Sequence, residues 1–200
     1  MSRLMKQISI DARRCRFLIC VFCAAALPML CGGILTHEEE RRSHLPSWVI
    51  LSEQEDLHTV HAVGGDEECT VHLHDGMLTL EGETFRFTTD ESWFTADCFF
   101  FDADRDGFEE VLLHVWKKGS FGEHQPFWKE PDNKTLYSEH LFIYQWDVSR
   151  PDRLDPLWMS SAMPVFGRKV TVEPDSTVCI LAPDGTQTRW IWDGWGLRIC

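Results

Sequence analysis

A short acidic stretch in the middle of the chain has the residue types and spacing of a calcium-binding loop. Three aspartates alternate, a glycine follows directly and a glutamate comes three residues later, as DADRDGFEE in Asp102–Glu110. Carboxylates this close repel one another unless a cation neutralises them, and Ca²⁺ accepts roughly six to eight oxygen ligands in a flexible shell. Gly107 supplies the positive φ that folds such a loop over its ion. The predicted calcium ligands are the side chains of Asp102, Asp104, Asp106 and Glu110 and the backbone carbonyl of Phe108.

The residues on either side of this stretch favour strands. Apolar runs precede and follow it, at Phe99–Phe101 and Val111–Val115. A helical EF-hand loop needs a glutamate at its twelfth position, which is Leu113 here, and the carboxylate falls instead at the ninth position. The sequence therefore predicts a strand–loop–strand calcium site, with a metal-free, solvated acidic turn as the alternative.

The acidic stretch resembles the calcium loop of FG-GAP/VCBS-type β-propeller repeats, and the resemblance covers roughly residues 93–200. Four later segments resemble parts of bacterial exported proteins of this kind, in the same order: VWKKGSF at Val115–Phe121, HLFIYQWD at His140–Asp147, LWMSS at Leu157–Ser161 and WDGWGL at Trp192–Leu197. The resemblance implies propeller-like blades and a structural calcium site. One segment departs from the pattern, because Val172–Gly185 stands where a second acidic loop is usual and lacks the alternating aspartates.

Short apolar runs separated by turn signals predict an all-β domain beyond the N-terminus. The predicted strands are Trp48–Leu51, Thr59–Val63, Thr70–His74, Met77–Leu80, Phe85–Phe87, His140–Trp146, Leu157–Ser160, Lys169–Val172, Thr177–Leu181, Thr188–Trp192 and Leu197–Cys200, besides the two that flank the acidic loop, with a turn around Pro151, Asp152 and Pro156. Such strands form β-propeller-like blades or a compact antiparallel β-domain. A blade takes about 40–45 residues. Residues 48–200 therefore have room for three blades and part of a fourth, so a closed propeller would need a partner or a second copy.

The N-terminus has the composition of an export signal or a membrane anchor. Basic residues end at Arg16, and Phe17–Leu35 follows without a charged residue. A basic segment before an apolar one is typical of export signals, and this apolar run is close to the roughly 20 residues with which a hydrophobic helix spans a bilayer. A cleaved signal, a lipoprotein modified at Cys31 and an uncleaved anchor stay open. In each case the body lies outside the cytoplasm, because the positive charges stay inside.

The charge is divided unevenly along the chain. Residues 1–36, the predicted signal peptide or membrane anchor, hold five basic residues and one acidic residue, a net charge of +4. The whole chain carries −13, which leaves −17 for the predicted linker at 37–47 and the β-domain at 48–200. So acidic a body repels a phosphate backbone, which excludes nucleic acid as a partner. The expected partners are a protein or a carbohydrate at the cell surface, and a homo-oligomer stays open.

Four histidines offer the alternative of a metal-dependent enzyme. His58, His61, His72 and His74 fall within 17 residues, and imidazoles can hold zinc or copper with an open position for water. His72 and His74 share one face of an alternating strand. The sequence contains no G-x-S-x-G, H-E-x-x-H or P-loop motif, so it lacks the usual nucleophile and phosphate-binding patterns. The sequence therefore favours a non-catalytic protein.

The body of the protein carries four cysteines, Cys69, Cys98, Cys179 and Cys200. An even number of cysteines in an exported chain favours disulfides, here with three alternative connectivities. Buried free thiols are the other interpretation. No Cys-x-x-Cys pair occurs in the body, which argues against a zinc ribbon and against a thioredoxin-like redox site.

Overall fold

All the secondary-structure elements in the described part of the chain are strands. This is a computed structural model, and it describes residues 39, 42–62, 65–122, 132, 135–147, 149–164 and 166–200. The signal or anchor predicted for residues 1–36, including its hydrophobic helix, lies outside these residues. No helix among the described residues is long and apolar enough to cross a membrane. The all-β prediction is therefore confirmed for this part of the chain.

Twelve strands in the described residues form three antiparallel sheets, each built from strands that follow one another in sequence. The first sheet contains β1 (Gln54–Ala62), β2 (Gly65–His74), β3 (Met77–Gly82) and β4 (Arg86–Thr88). The central sheet contains β5 (Phe94–Phe101), β6 (Glu110–Lys118), β7 (Tyr137–Asp147) and β8 (Arg150–Met159). The third sheet contains β9 (Lys169–Val172), β10 (Val178–Leu181), β11 (Gln187–Trp192) and β12 (Leu197–Ile199). All these strands belong to one compact unit, Ser43–Cys200.

The central sheet is buried on both faces because it separates two hydrophobic cores. On one face Leu113 belongs to a first core that also contains Val71 of the first sheet. On the other face Leu112 belongs to a second core that also contains Ile180 of the third sheet. Every residue of β6 from position 110 to position 116 is buried. Burial on both faces explains why this strand reads as a nearly continuous apolar run rather than as an alternating one.

The faces that the first and third sheets turn away from the central sheet are chiefly polar. On the first sheet, His72, Thr79 and Thr88 are neighbours across three strands, and directly opposed residues in antiparallel strands share a face. On the third sheet, Lys169 of β9 and Gln187 of β11 both pair with Leu181 of β10. The hydrophobic interior is therefore bounded by the outer face of the first sheet on one side and by that of the third sheet on the other.

The segment Trp48–Leu51, which was predicted to be a strand, precedes the first strand and is not part of a sheet. The backbone N–H of Val49 donates to the carbonyl of Pro46 at 2.9 Å, which closes a turn. The Trp48 ring packs edge-on against Trp116, with ring centroids 5.5 Å apart. This segment therefore covers one end of the central sheet, where Trp48, Val49 and Leu51 are partly buried by packing rather than by strand pairing and Ile50 is exposed.

The residues around Pro151, Asp152 and Pro156, predicted to form a turn, lie inside β8. That strand is at the edge of the central sheet. An edge strand tolerates proline because the N–H groups on its open side have no strand partner to lose. The prediction was wrong for this reason. The other predicted strands each overlap an observed strand.

Candidate metal-binding loop

The predicted calcium loop lies between two strands, as the flanking residues indicate. β5 ends at Phe101 and β6 begins at Glu110, and these two residues are paired across the strands. The loop therefore joins two residues that lie opposite each other in paired strands of the central sheet. Its two ends are fixed by buried strands, so the backbone between them has little freedom to spread.

The three aspartates of the loop converge on a small volume. Ligand atoms of Asp102, Asp104 and Asp106 lie within 4.8 Å of one another. Backbone N–H groups hold them there: those of Asp106 and Gly107 donate to the Asp102 carboxylate, each at 3.0 Å. The N–H of Phe108 donates to the Asp106 carboxylate at 2.9 Å. Gly107 has a φ of 94°, the left-handed conformation that was predicted for the bend of the loop.

Glu110 is buried at the end of the loop and does not belong to the group of three converging aspartates. It is 5% exposed, and its Oε2 accepts a hydrogen bond from the backbone N–H of Ala103 at 2.7 Å. Burial, with repulsion from the three aspartates, raises the pKa of Glu110 to about 7. Burial and repulsion from Asp106 also raise the pKa of Asp104. A divalent cation would relieve both effects, because its charge favours the ionised carboxylates.

The donor set fits calcium. The loop offers carboxylate and carbonyl oxygens, the hard ligands that Ca²⁺ and Mg²⁺ accept, without the nitrogen and sulfur ligands that zinc and copper favour. Among these ions Ca²⁺ adapts best to a crowded, irregular carboxylate group, whereas Mg²⁺ demands a nearly ideal octahedron and keeps several waters. Residues 102–110 include no serine, cysteine, histidine or lysine. The chemistry that this loop offers is therefore cation binding.

The loop also contacts all three sheets. The backbone N–H of Glu109 donates to the carbonyl of His61 in the first sheet at 2.9 Å. The indole N–H of Trp146, in the central sheet, donates to the carbonyl of Glu109 at 3.0 Å. Arg105 donates through Nη2 to the carbonyl of Asp175, in the turn between β9 and β10, at 3.3 Å. A cation that fixes this loop would therefore act on the positions of three sheets.

The four histidines of the alternative prediction do not converge. His72 and His74 share a face of β2, but His58 and His61 are an odd number of residues apart and point to opposite faces of β1. Their neighbours differ: His58 stacks on Phe100, His61 contacts Asp66, His72 lies beside Thr79 and His74 contacts Asp75. The hydrogen bond to Asp66 raises the pKa of His61. In the part of the chain that the structure describes, the group of metal-capable side chains is the three aspartates.

A buried charged group in the central sheet was not predicted from the sequence. His114 of β6 is 2% exposed, with its Nε2 2.7 Å from Oε1 of Glu139 and its Nδ1 3.4 Å from Oδ2 of Asp97. Burial opposes the charged imidazolium, but hydrogen bonds to the two carboxylates outweigh it and raise the pKa of His114 to about 9. Glu139 also accepts the backbone N–H of Gly167 at 2.7 Å. The sequence feature that could have indicated this buried group is the histidine inside the apolar run Val111–Trp116.

The four body cysteines are free thiols, three of them buried and Cys200 exposed. Cys179 pairs with Arg189, whose carbonyl accepts the N–H of Cys200 from the other side. Two strand spacings, roughly 9–10 Å, therefore separate Cys179 from Cys200, beyond the limit of about 7 Å for the Cα atoms of a disulfide. Burial raises the pKa of Cys69 to about 11 and also raises that of Cys98, so both stay protonated and unreactive at neutral pH.

The strands on both sides of the loop are those that the sequence predicts, and the set of calcium ligands stays a prediction. The three aspartates of the loop converge, and Glu110 lies buried beside the loop backbone. The resemblance to FG-GAP/VCBS repeats stays a prediction from the residues, because no family model, no curated protein and no solved structure matches the chain.

Proposed function

We propose that this chain is a non-catalytic, calcium-stabilised binding or scaffold protein of the bacterial cell envelope. The observation that carries the proposal is the loop between β5 and β6. The carboxylates of its three aspartates converge, as a calcium site requires. The Glu109 backbone bonds to the first and central sheets, and the Arg105 side chain bonds to the turn between β9 and β10 of the third sheet. Bound calcium would fix the loop and thereby the three sheets, so the ion contributes to the stability of the fold rather than to a reaction.

The topology supports a propeller-like plan of the FG-GAP/VCBS kind. Each sheet is a four-stranded antiparallel meander of consecutive strands, which is the composition of a propeller blade. The polar outer faces of the first and third sheets support a domain that ends at those sheets. They weigh against a subunit whose apolar faces are covered by the blades of a partner.

The cellular location in this proposal follows from the N-terminal sequence. A basic segment followed by the apolar run Phe17–Leu35 carries the body out of the cytoplasm in the cleaved, lipidated and anchored alternatives alike. Calcium is far more available outside a bacterial cytoplasm than inside it, which suits a fold that calcium stabilises. The partner that we expect there is a protein or a carbohydrate at the cell surface.

Thermal unfolding of the full-length chain tests the calcium site. The chain is kept in a non-ionic detergent because Phe17–Leu35 is apolar. We expect the Tm in millimolar calcium to exceed the Tm in EGTA by roughly 5–10 °C, which corresponds to about 2–3 kcal/mol of binding free energy in a protein of this size. The double variant Asp104→Asn, Asp106→Asn should lose this shift, because two charged ligands become neutral amides.

A second double variant, Glu83→Gln with Glu91→Gln, is the matched control. It removes the same two charges from exposed turns of the first half of the domain, outside the acidic loop. The control should keep the calcium-dependent Tm shift of the parent. A folded parent whose Tm is the same in calcium and in EGTA would overturn the proposal, and so would an Asp104, Asp106 variant that keeps the shift.

A further inference from the structure

The turn between β11 and β12 presents an indole ring to solvent. Trp195 is 91% exposed, the largest exposure among the large apolar side chains of the described residues. The turn itself is fixed: the N–H of Asp193 donates to the carbonyl of Gly196 at 3.1 Å, and the Asp193 side chain accepts the N–H of Trp195 at 3.2 Å. Gly194 has a φ of 90°. The ring is therefore held outward by an ordered backbone.

The same turn is packed against the interior on its other side. The backbone of Gly196 lies so close to Trp158 that a Cβ atom there would be 2.5 Å from its Nε1. This close approach favours glycine, because a side chain would displace the partly buried ring of Trp158. The turn backbone thus packs against Trp158 of β8 in the central sheet, while Trp195 projects into solvent. Turn tips are ordinarily polar. Trp195 is a large apolar residue at such a tip, and the packing of the fold does not require it there.

A cleft of about 430 Å³ lies beside this turn, between it, the acidic loop and the turn that precedes β10. Its polar lining comes from the side chains of Asp104, Arg105, Ser176 and Asp193, and its aromatic wall from Trp192. The lining therefore offers hydrogen-bond acceptors on two carboxylates, donors on a guanidinium, and a hydroxyl that does both. Its volume falls in the range of small-molecule sites.

Basic side chains accompany the carboxylates that line the cleft, although Asp102 and Asp106 of the acidic loop lie close to Asp104. The two carboxylates of the lining are accompanied by Arg105 and by Arg198, whose Nε lies 3.6 Å from Oδ2 of Asp193. A set of donors and acceptors next to an exposed indole suits an uncharged ligand with many hydroxyls and one apolar face.

We infer that this corner binds a neutral saccharide, with a pyranose ring stacked on Trp195 and its hydroxyls bonded in the adjoining cleft. The C–H groups on one face of a pyranose give the dispersion contact that a flat indole offers, and hydrogen bonds to charged groups are the stronger kind for the hydroxyls. The inference rests on the proposed binding function and names the ligand class for it. Trp195 supplies the stacking surface, and Asp193 positions it.

Calorimetric titration of the full-length chain in millimolar calcium tests the inference, with cellohexaose, chitohexaose and mannohexaose as the probes. The detergent is a polyoxyethylene ether, which has no sugar headgroup to compete. We expect at least one probe to bind and to change the tryptophan fluorescence. Trp195→Ala should weaken that binding roughly tenfold or more, while Trp195→Phe, which keeps a flat ring, should retain most of it. Leu57→Ala, at another exposed apolar side chain, is the control and should bind as the parent does.

The inference is overturned if none of the three probes binds, or if Trp195→Ala binds a probe as tightly as the parent. A loss of self-association in Trp195→Ala, measured by light scattering and seen without any saccharide binding, also overturns it and assigns the ring to a protein interface. The calcium-dependent Tm of the same samples separates this failure from failure of the proposed function. No saccharide binding with an intact calcium response removes the inference alone, whereas an absent calcium response removes the proposed function.

Discussion

Glu110 has a charge state that affects both folding and cation binding. Its spacing from the aspartates predicts that it is a calcium ligand, and the structure adds that it is buried and bonded to the N–H of Ala103 at 2.7 Å. Ionising a buried carboxylate among three others costs free energy unless a cation compensates. We therefore expect the same residue to destabilise the calcium-free fold at neutral pH and to strengthen the calcium binding that we propose.

We expect Glu110→Gln to remove a pH dependence of stability that the parent shows in EGTA. The pKa of this group is 4.5 in the unfolded chain and about 7 in the fold. The protonated side chain thus contributes stability that is fully present below pH 4.5 and is lost as the pH rises through 7. Urea unfolding across this range should show a loss on the order of 2 kcal/mol in the parent relative to the variant.

Glutamine keeps an oxygen for the N–H of Ala103, so the variant should fold. Glu83→Gln, at an exposed glutamate, should leave the pH profile of the parent unchanged. In saturating calcium the parent should no longer lose stability across this range, because the ion favours the ionised form. Parent and Glu110→Gln profiles that run parallel in EGTA would contradict the assignment of a raised pKa to this carboxyl.

The residues of the acidic loop could be predicted, and those of the buried charged group could not. The aspartates are close in sequence, so their spacing alone places them in one loop. His114 and Glu139 are 25 residues apart, and they meet because β6 and β7 pair in a particular register. A histidine in an apolar run indicates a buried polar group, but the partner depends on contacts that sequence spacing does not contain.

At the scale of elements, the His114 group joins segments that are distant along the chain. It connects Asp97 of β5, Glu139 of β7 and, through Glu139, the backbone of Gly167 ahead of β9. Ser52, in the segment that leads into β1, donates to Asp97. Removing one member of such a buried group leaves the others without compensation, which is costly. The group therefore ties the segment that leads into β1 and the segment that precedes β9 to the central sheet.

We expect His114→Gln to lower the stability at pH 6.5 by about 3 kcal/mol or more, because Glu139 keeps a buried charge without a cation beside it. The pKa of His114 is 6.5 in the unfolded chain and about 9 in the fold. Its protonation contributes stability that is fully present below pH 6.5 and is lost as the pH rises through 9. Denaturant unfolding of the parent should show this decline, and that of the variant should not.

His72→Gln is the matched control, since His72 lies on the polar outer face of the first sheet beside Thr79. It should change stability by less than about 0.5 kcal/mol at either pH. If the stability of the His114→Gln variant falls between pH 6.5 and 9 as steeply as that of the parent, then another group is responsible for the decline and the role assigned to His114 is wrong.

Most strands could be predicted because alternation and turn signals are local properties of a sequence. The two departures have tertiary causes. Trp48–Leu51 has the composition of a strand but packs as a cover against Trp116, and β8 contains prolines because it lies at an edge. Whether an apolar segment pairs with a sheet or covers it depends on neighbours elsewhere in the chain, so these segments could not be assigned from their own residues.

At the scale of the whole molecule, two hydrophobic cores lie between three sheets and polar faces bound them. Residues 48–200 have room for only three blades and part of a fourth, so a closed propeller was predicted to need a partner or a second copy to cover its open side. The structure instead places residues such as Thr88 and Gln187 on the outer faces of the first and third sheets. How the sheets stack could not be predicted, because contacts between sheets are long-range and leave no periodic signal in the sequence.

We expect Thr88→Lys and Gln187→Lys to leave both the oligomeric state and the stability of the chain unchanged. Each adds a long charged side chain to an outer face, which would break an interface there but costs less than about 0.5 kcal/mol on a free surface. Light scattering in detergent measures the mass, and denaturant unfolding measures the stability. A mass that falls in either variant would show that the substituted face is covered by another copy.

The order of the strands also has a consequence for how the chain folds. In every sheet the hydrogen-bonded neighbours are neighbours in sequence, so each sheet needs only its own stretch of chain and closes short loops. Sheets of this kind form faster than those assembled from distant strands, since little loop-closure entropy is lost before contacts are gained. A chain that emerges N-terminus first can complete its first sheet, then its central sheet and then its third. The last step is then the docking of finished sheets, and the acidic loop joins them at that step.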